Sequence, residues 1–395
     1  MPESKLTFSS PAAILPENRS WSVATPPANP RLAMHRRLPQ VLQPFLTWLT
    51  AQPAPGEAPQ ERSPLHFVAV ALLQTLLGAA LSVAALQFCP PLAAFGMMLT
   101  TAGLGLFQVV VFHHCSHGTV FRDRETNTHV GRLVSAILLF KHFDHYKHEH
   151  MLHHSNNKLL TEEDEFADFV FNTCRLEAGV DLAVLRRRVL LNLLSPVFHA
   201  QFAFRRVRAA WGSHDVQHNV AGIAVWAAMA LLAMATGHWL AFLLAWVVPV
   251  TVLLQAATVG RILCEHSFPE AELIAARGRD LTCHATGGVF PGMMPPAAPL
   301  ASPRGALAWA GWWLNMLAVQ VFVRLVVLVG DAPCHDYHHR KPASRRWTDY
   351  IHARHNDAEA GSKVFKAEYK ETWGLFRAVD ATLASLSRLP PGTPL

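Results

Sequence analysis

Three short histidine runs stand out in a chain of 395 residues that holds 23 histidines. His113-His114-Cys115-Ser116-His117 is an H-x-x-x-H, while His150-Met151-Leu152-His153-His154 and His335-Asp336-Tyr337-His338-His339 are both H-x-x-H-H. Positions i, i+3 and i+4 project from one face of a helix, so each run can aim its imidazoles at one place. Imidazole is a ligand for iron, copper, zinc and nickel. With the lone His266 in Cys264-Glu265-His266-Ser267-Phe268, the candidate ligands are His113, His117, His150, His153, His154, His266, His335, His338 and His339. That set exceeds what one tetrahedral ion uses and suits two metals with open positions. His114 falls on another side of its helix. Together with Asp336, Glu149 and Glu265 it is expected to hold ligand N–H groups in place, and Asp144 and Asp331 are weaker candidates for that role. The chain has no H-E-x-x-H, which argues against a zinc hydrolase.

The elements that must position these residues are read from charge. The chain is 51% hydrophobic and only 16% charged, with a formal net charge of +6. Ser63 to Phe121 contains no Asp, Glu, Lys or Arg, and Ala209 to Gly260 contains only Asp215. A bilayer crossing takes about 20 apolar residues, so each stretch predicts two crossings and a turn. The expected spans are His66–Phe88, Leu92–Phe112, Val220–Thr236 and Trp239–Val259. All Lys and Arg fall in the loops on one side, including Arg186-Arg187-Arg188 and Arg205-Arg206, which places those loops and both termini in the cytoplasm. The fold class expected is an all-α integral membrane protein: four transmembrane helices in two hairpins, with a cytoplasmic helical cap that carries the histidine runs. Residues 1–62 read as a Pro-rich cytoplasmic arm, 63–342 as the membrane domain and 343–395 as a cytoplasmic tail. The segment 305–329 is also apolar, but Trp309, Trp312 and Trp313 suit an interfacial helix. The six cysteines form no C-x-x-C pair and read as free thiols.

The order of the motifs carries a resemblance. An H-x-x-x-H after the second span, an H-x-x-H-H soon after it, two more spans and a final H-x-x-H-H resemble the membrane fatty acid desaturase and hydroxylase superfamily over roughly residues 66–342. The resemblance implies a centre of two iron ions at the cytoplasmic face, O2 as co-substrate and a tunnel for an acyl chain. His266 matches the extra ligand that stearoyl-type desaturases carry after their fourth span. The third run ends in Arg340-Lys341-Pro342, which departs from the commonest lipid-desaturase form. The chain has no His-Pro-Gly-Gly motif and no four-cysteine iron–sulfur pattern, so the implied electron donor is a separate protein of the ferredoxin or cytochrome b5 type with its reductase.

Desaturation of a fatty acyl chain is the first expectation. Hydroxylation, or decarboxylation to a terminal alkene, is the alternative on the same site. Arg122, Arg124, Arg261, Arg340 and Lys341 are candidates to hold the substrate's polar head, and membrane lipid is the expected surrounding. Nucleic acid is not an expected partner. A metal transporter is a remote reading, because transporters place ionisable groups within the spans and these spans hold almost none. The 26 Arg to 8 Lys and the high Ala content suit a GC-rich bacterial genome, hence an inner-membrane location.

Overall fold

The computed structural model describes residues 29–393, so most of the Pro-rich opening of the arm lies outside the described residues. The described chain is mostly helical, with five helices long and apolar enough to cross a membrane: Pro64–Phe88, Pro91–Ser116, Val216–Ala235, Trp239–Glu265 and Pro303–Val327. Ser63 caps the first and Asp215 the third, each accepting a backbone N–H of the opening turn, which moves both starts ahead of the expected ones. The second and fourth helices run past their expected ends at Phe112 and Val259. Apolarity stops there, but the backbone hydrogen bonding does not, and the extra turns carry His113 and lead into His266.

Close approach of the first two helices is set by small residues. A Cβ on Gly78 would lie 2.3 Å from the Thr100 nitrogen, and one on Gly103 would lie 2.5 Å from the Thr75 nitrogen. In the second helix the backbone widens to π-type turns over Phe107–Phe112, immediately before the first histidine run. Such widened turns recur at functional sites because they rotate the residues that follow. Pro249 lies within the fourth helix beside two further widened segments, as expected where a proline removes a backbone donor.

The fifth long helix bears on the expected count of four spans. By length and composition Pro303–Val327 qualifies alongside the other four. Its Trp312 and Met316 are buried against Met34, Leu46 and Leu49 of the arm, so the arm and this helix share one small core. Arg324 is tolerated in it because its guanidinium donates to the carbonyls of Trp48 and Gly330 at 2.9 Å each.

Gly330 then turns the chain with φ +54, and Asp331 to Arg340 enters the interior as a buried segment. A two-stranded parallel sheet, Gly288–Phe290 with Glu371–Trp373, ties the C-terminal part back to the region after the fourth helix. The helix Leu375–Arg388 packs Leu383 and Leu386 against Val259 and Leu263 of the fourth helix. All six cysteines are free thiols.

Candidate metal centre

Four elements deliver the histidines. The second long helix brings His113, with His117 at its C-terminal cap, and Phe143–His153 brings His150, His153 and the capping His154. The short helix His335–Arg340 brings the third run. His266 leaves the fourth helix in extended conformation, bridges to Thr286, and its carbonyl accepts from Thr382 Oγ1 at 2.7 Å. Gly131 lets the Phe143–His153 helix dock, since a Cβ there would lie 2.1 Å from the Phe143 ring.

These nine imidazoles fall into two groups. His113, His117, His150, His154 and His338 form one, and His153, His266, His335 and His339 the other; within each, ligand nitrogens lie within 4.8 Å of one another. The facing atoms are Nε2 atoms. His338 Nε2 lies 2.8 Å from that of His113 and 3.0 Å from that of His154, and His150 Nε2 lies 3.1 Å from those of His117 and His154. In the second group His335 Nε2 lies 3.0 Å from His266 and 3.1 Å from His339. The groups adjoin through His154 and His339, whose ring centres are 4.4 Å apart.

The outer nitrogens decide what the inner ones can be. His153 Nδ1 lies 2.6 Å from Asp164, and His150 Nδ1 lies 2.9 Å from Glu165. A carboxylate accepts only, so these rings carry their proton on Nδ1 and turn a lone pair inward. His113 Nδ1 meets the Tyr146 hydroxyl at 3.2 Å. Lone pairs facing each other at about 3 Å repel unless a cation lies between them, so the donor set fits metal ions. Burial, reinforced by the neighbouring imidazoles, holds His154, His338 and His339 well below the usual histidine range, and burial lowers His335 to about 4. His153 goes the other way: burial opposes protonation, but the Asp164 carboxylate outweighs it and raises the ring.

The acids expected to steer ligands are engaged elsewhere. Asp336 forms a buried pair with Arg354, Nη2 to Oδ2 at 2.8 Å. Glu149 pairs with Lys141 and Glu265 with Arg261. Asp144 pairs with Arg132. Glu265 found its cation one turn back on its own helix, an i,i+4 spacing visible in the sequence, while the cations of Asp336, Glu149 and Asp144 lie on other turns or elements that spacing does not show. His114 is held by Asp331 at 2.9 Å and stacks on Trp347 with ring centres 4.2 Å apart. His114, Asp331 and His338 form a third group able to hold a metal, which shares His338 with the first. The groups that do contact ligand Nδ1 atoms, Asp164, Glu165 and Tyr146, were missed. A signal existed for each: the acidic run Glu162-Glu163-Asp164-Glu165 follows the second histidine run, and Tyr146 stands four residues before His150.

A cavity of about 340 Å3 opens onto the histidines, walled by Phe112, Phe140, Phe166, Phe169 and Phe202. Of the five proposed head-holding cations only Arg261 lines it, with its guanidinium committed to Glu265 at 2.8 and 2.9 Å. Arg122 and Arg124 are exposed at the start of the helix Arg124–Leu138. Arg340 is buried with its guanidinium 3.8 Å above the Tyr369 ring, and Lys341 pairs with Asp357.

Helices long and apolar enough to cross a membrane, with buried histidine clusters able to hold metal ions at their ends, set the chain in the class of membrane polyhistidine proteins. The sequence profile of the fatty acid desaturase family matches residues 88–347, and the chain belongs to that family, the membrane fatty acid desaturases and hydroxylases. No curated protein sequence matches the chain.

Proposed function

We propose that the chain is an O2-dependent oxidoreductase that uses two iron ions to introduce a double bond into a fatty acyl chain. The observation that supports this most is the pairing of two inward-facing imidazole groups with an aromatic-walled cavity at their edge. When bound, such an iron pair supplies the capacity to activate O2 and oxidise an unactivated C–H bond. The chain's own residues do the rest. Asp164 and Glu165 keep their imidazoles in the ligating tautomer, and Tyr146 braces His113. The phenylalanine walls bind methylene groups and exclude water, which limits wasteful side reactions.

Desaturation removes two hydrogens from the chain, and with O2, two electrons and two protons it yields two waters. The electrons require a separate donor protein of the ferredoxin or cytochrome b5 type. The same site serves hydroxylation or decarboxylation if the chain is held differently, so product identity is the discriminating readout. The termini and the histidine side are assigned to the cytoplasm on the distribution of Lys and Arg, and the membrane to a bacterial inner membrane on the Arg-to-Lys ratio and the Ala content.

The test is gas chromatography–mass spectrometry of lipids and headspace from cells expressing the chain, beside His153→Ala and His338→Ala. A new unsaturated acyl chain in the wild type alone is expected, with bound iron lowered in both variants. A hydroxy acid or volatile alkene instead overturns desaturation and keeps the site. Full activity and full iron in either variant overturns the site.

A further inference from the structure

The cavity beside the histidines does not end at its aromatic walls. Thr173, Phe202 and Arg205 line it and also line a smaller pocket of about 140 Å3, so the two adjoin across one shared wall. Aromatic rings run through that wall. Phe202 packs on Phe169 of the large cavity, with ring centres 5.9 Å apart, and on Phe198 of the small pocket at 5.8 Å. Beyond them the lining turns polar. Arg175, Arg205, Asn192, Ser195 and Gln201 face the small pocket, and no carboxylate among the described residues does.

The two arginines suit an anion. Arg205 Nη1 donates to the Asn172 carbonyl and to Thr173 Oγ1, each at 3.1 Å. That anchors the guanidinium and leaves Nε and Nη2 without a partner among the described residues. This edge of the fork takes a carboxylate through two parallel hydrogen bonds. Arg175 has a backbone φ of +55, a left-handed conformation that costs an L-residue about 1–2 kcal/mol and that glycine adopts freely. The position favours glycine and carries an arginine instead, whose guanidinium has no partner among the described residues. Nearby cations do find acids: Arg188 pairs with Glu177 and Arg186 with Asp380. The pocket's size narrows the anion further. A nucleotide-bearing carrier needs a site of about 300 Å3 or more, whereas a carboxylate fits here.

We infer that this pocket holds the ionised carboxylate of the substrate, which is a free fatty acid whose chain passes Phe202 into the histidine-lined cavity. The inference rests on the reading of the site as an acyl-chain oxidase and names its substrate class, with Arg205 and Arg175 as the residues that select it. A phospholipid phosphate is the other source of an anion. Leu190, Leu191, Leu194 and Val197 are exposed on the two helices beside the pocket, a face suited to the bilayer interface. The experiment separates the two sources.

The measurement is equilibrium displacement of a fluorescent fatty alcohol from the full-length, iron-loaded protein in phosphatidylcholine nanodiscs. The competitors are palmitate, methyl palmitate and palmitoyl-CoA. Palmitate should bind about tenfold more tightly than the ester, the effect of charge-assisted hydrogen bonds at a partly exposed site. Arg205→Gln should erase that difference by weakening palmitate alone, and Arg175→Gln should shrink it. An ester that binds as tightly as the acid overturns the assignment, as does Arg205→Gln weakening both equally or palmitoyl-CoA outcompeting palmitate. Nanodiscs with added phosphatidylglycerol supply the second arm. If that lipid weakens palmitate binding in the wild type but not in Arg205→Gln, the pocket belongs to lipid phosphate and the substrate assignment falls; equal behaviour of the two proteins supports it. The readout needs no turnover. A carboxylate preference without any oxidised product removes the oxidase reading alone, and acyl-chain oxidation without the preference removes the substrate class alone.

Discussion

Asp164 is the carboxylate whose replacement speaks most directly about the site. It is fully buried, and its two oxygens serve three donors: His153 Nδ1 at 2.6 Å, the Phe166 amide at 3.0 Å and the Leu160 amide at 2.7 Å. Asp164→Asn keeps the shape and replaces one oxygen with an NH2. In one orientation the NH2 meets the Leu160 N–H. In the other it meets both His153 and Phe166. Either way two donors face each other without water, at about 1–3 kcal/mol. In the second orientation His153 also tends to move its proton to Nε2, which removes a ligand. Loss of a carboxylate that orients a ligating imidazole lowers metal affinity about 10–100-fold, the same range of free energy. The assay is iron retained against a graded chelator, with thermal melting of the metal-free protein as the control for folding. Glu165→Gln, beside His150, should lose less, because the Glu165 side chain is 23% exposed and water can substitute. An Asp164→Asn protein that holds iron as tightly as wild type, or one weaker only in proportion to Glu165→Gln, refutes the reasoning.

Three further outcomes follow from contacts around the site. Arg354→Met strands the buried Asp336 carboxylate, and breaking such a pair from one side costs about 3–5 kcal/mol. Thermal unfolding should fall sharply while iron per folded molecule stays near normal, and lost iron without lost stability would assign Asp336 to the metal. Gly330→Ala places a side chain at φ +54 with its Cβ 2.2 Å from Val110 Cγ2. It should destabilise by about 1–3 kcal/mol in denaturant titration, and an unchanged midpoint would count against the observed turn. Metal-free protein should lose stability on acidification. His154, His338, His339 and His335 are depressed by burial first, so below the ordinary 6.5 the unfolded chain takes up protons that the folded one refuses. Stability is then full above about pH 6.5 and declines toward about 4, where His335 itself titrates. The raised His153 opposes this as a single group, outnumbered by these four and by His117, His150 and His266, which burial also lowers, and a melting temperature flat across that window would sink the prediction.

The contrast between what was legible in the sequence and what was not has one physical cause. Helix periodicity and charge depletion are local, so the long helices and the three runs that converge could be read along the chain. His266 was legible from its place after an apolar stretch, although its extended backbone and its bridge to Thr286 were not. Apart from Arg261, one helical turn before Glu265, the partners of the acids were not local. Asp336 stands inside the third run, beside its histidines, yet it faces Arg354 eighteen residues away because a buried carboxylate must be paired. Asp164 is one of four consecutive acids in the sequence, and nothing along the chain shows that a left-handed residue at Leu160 folds the turn back under His153. The same holds for the cavity. Gln255 in an apolar helix is visible in the sequence, but its contact with His199 Nδ1 from another helix, at 3.3 Å, is not. Ligand identity in a polyhistidine site is therefore written in short spacings, while tautomer and affinity are written in tertiary contacts.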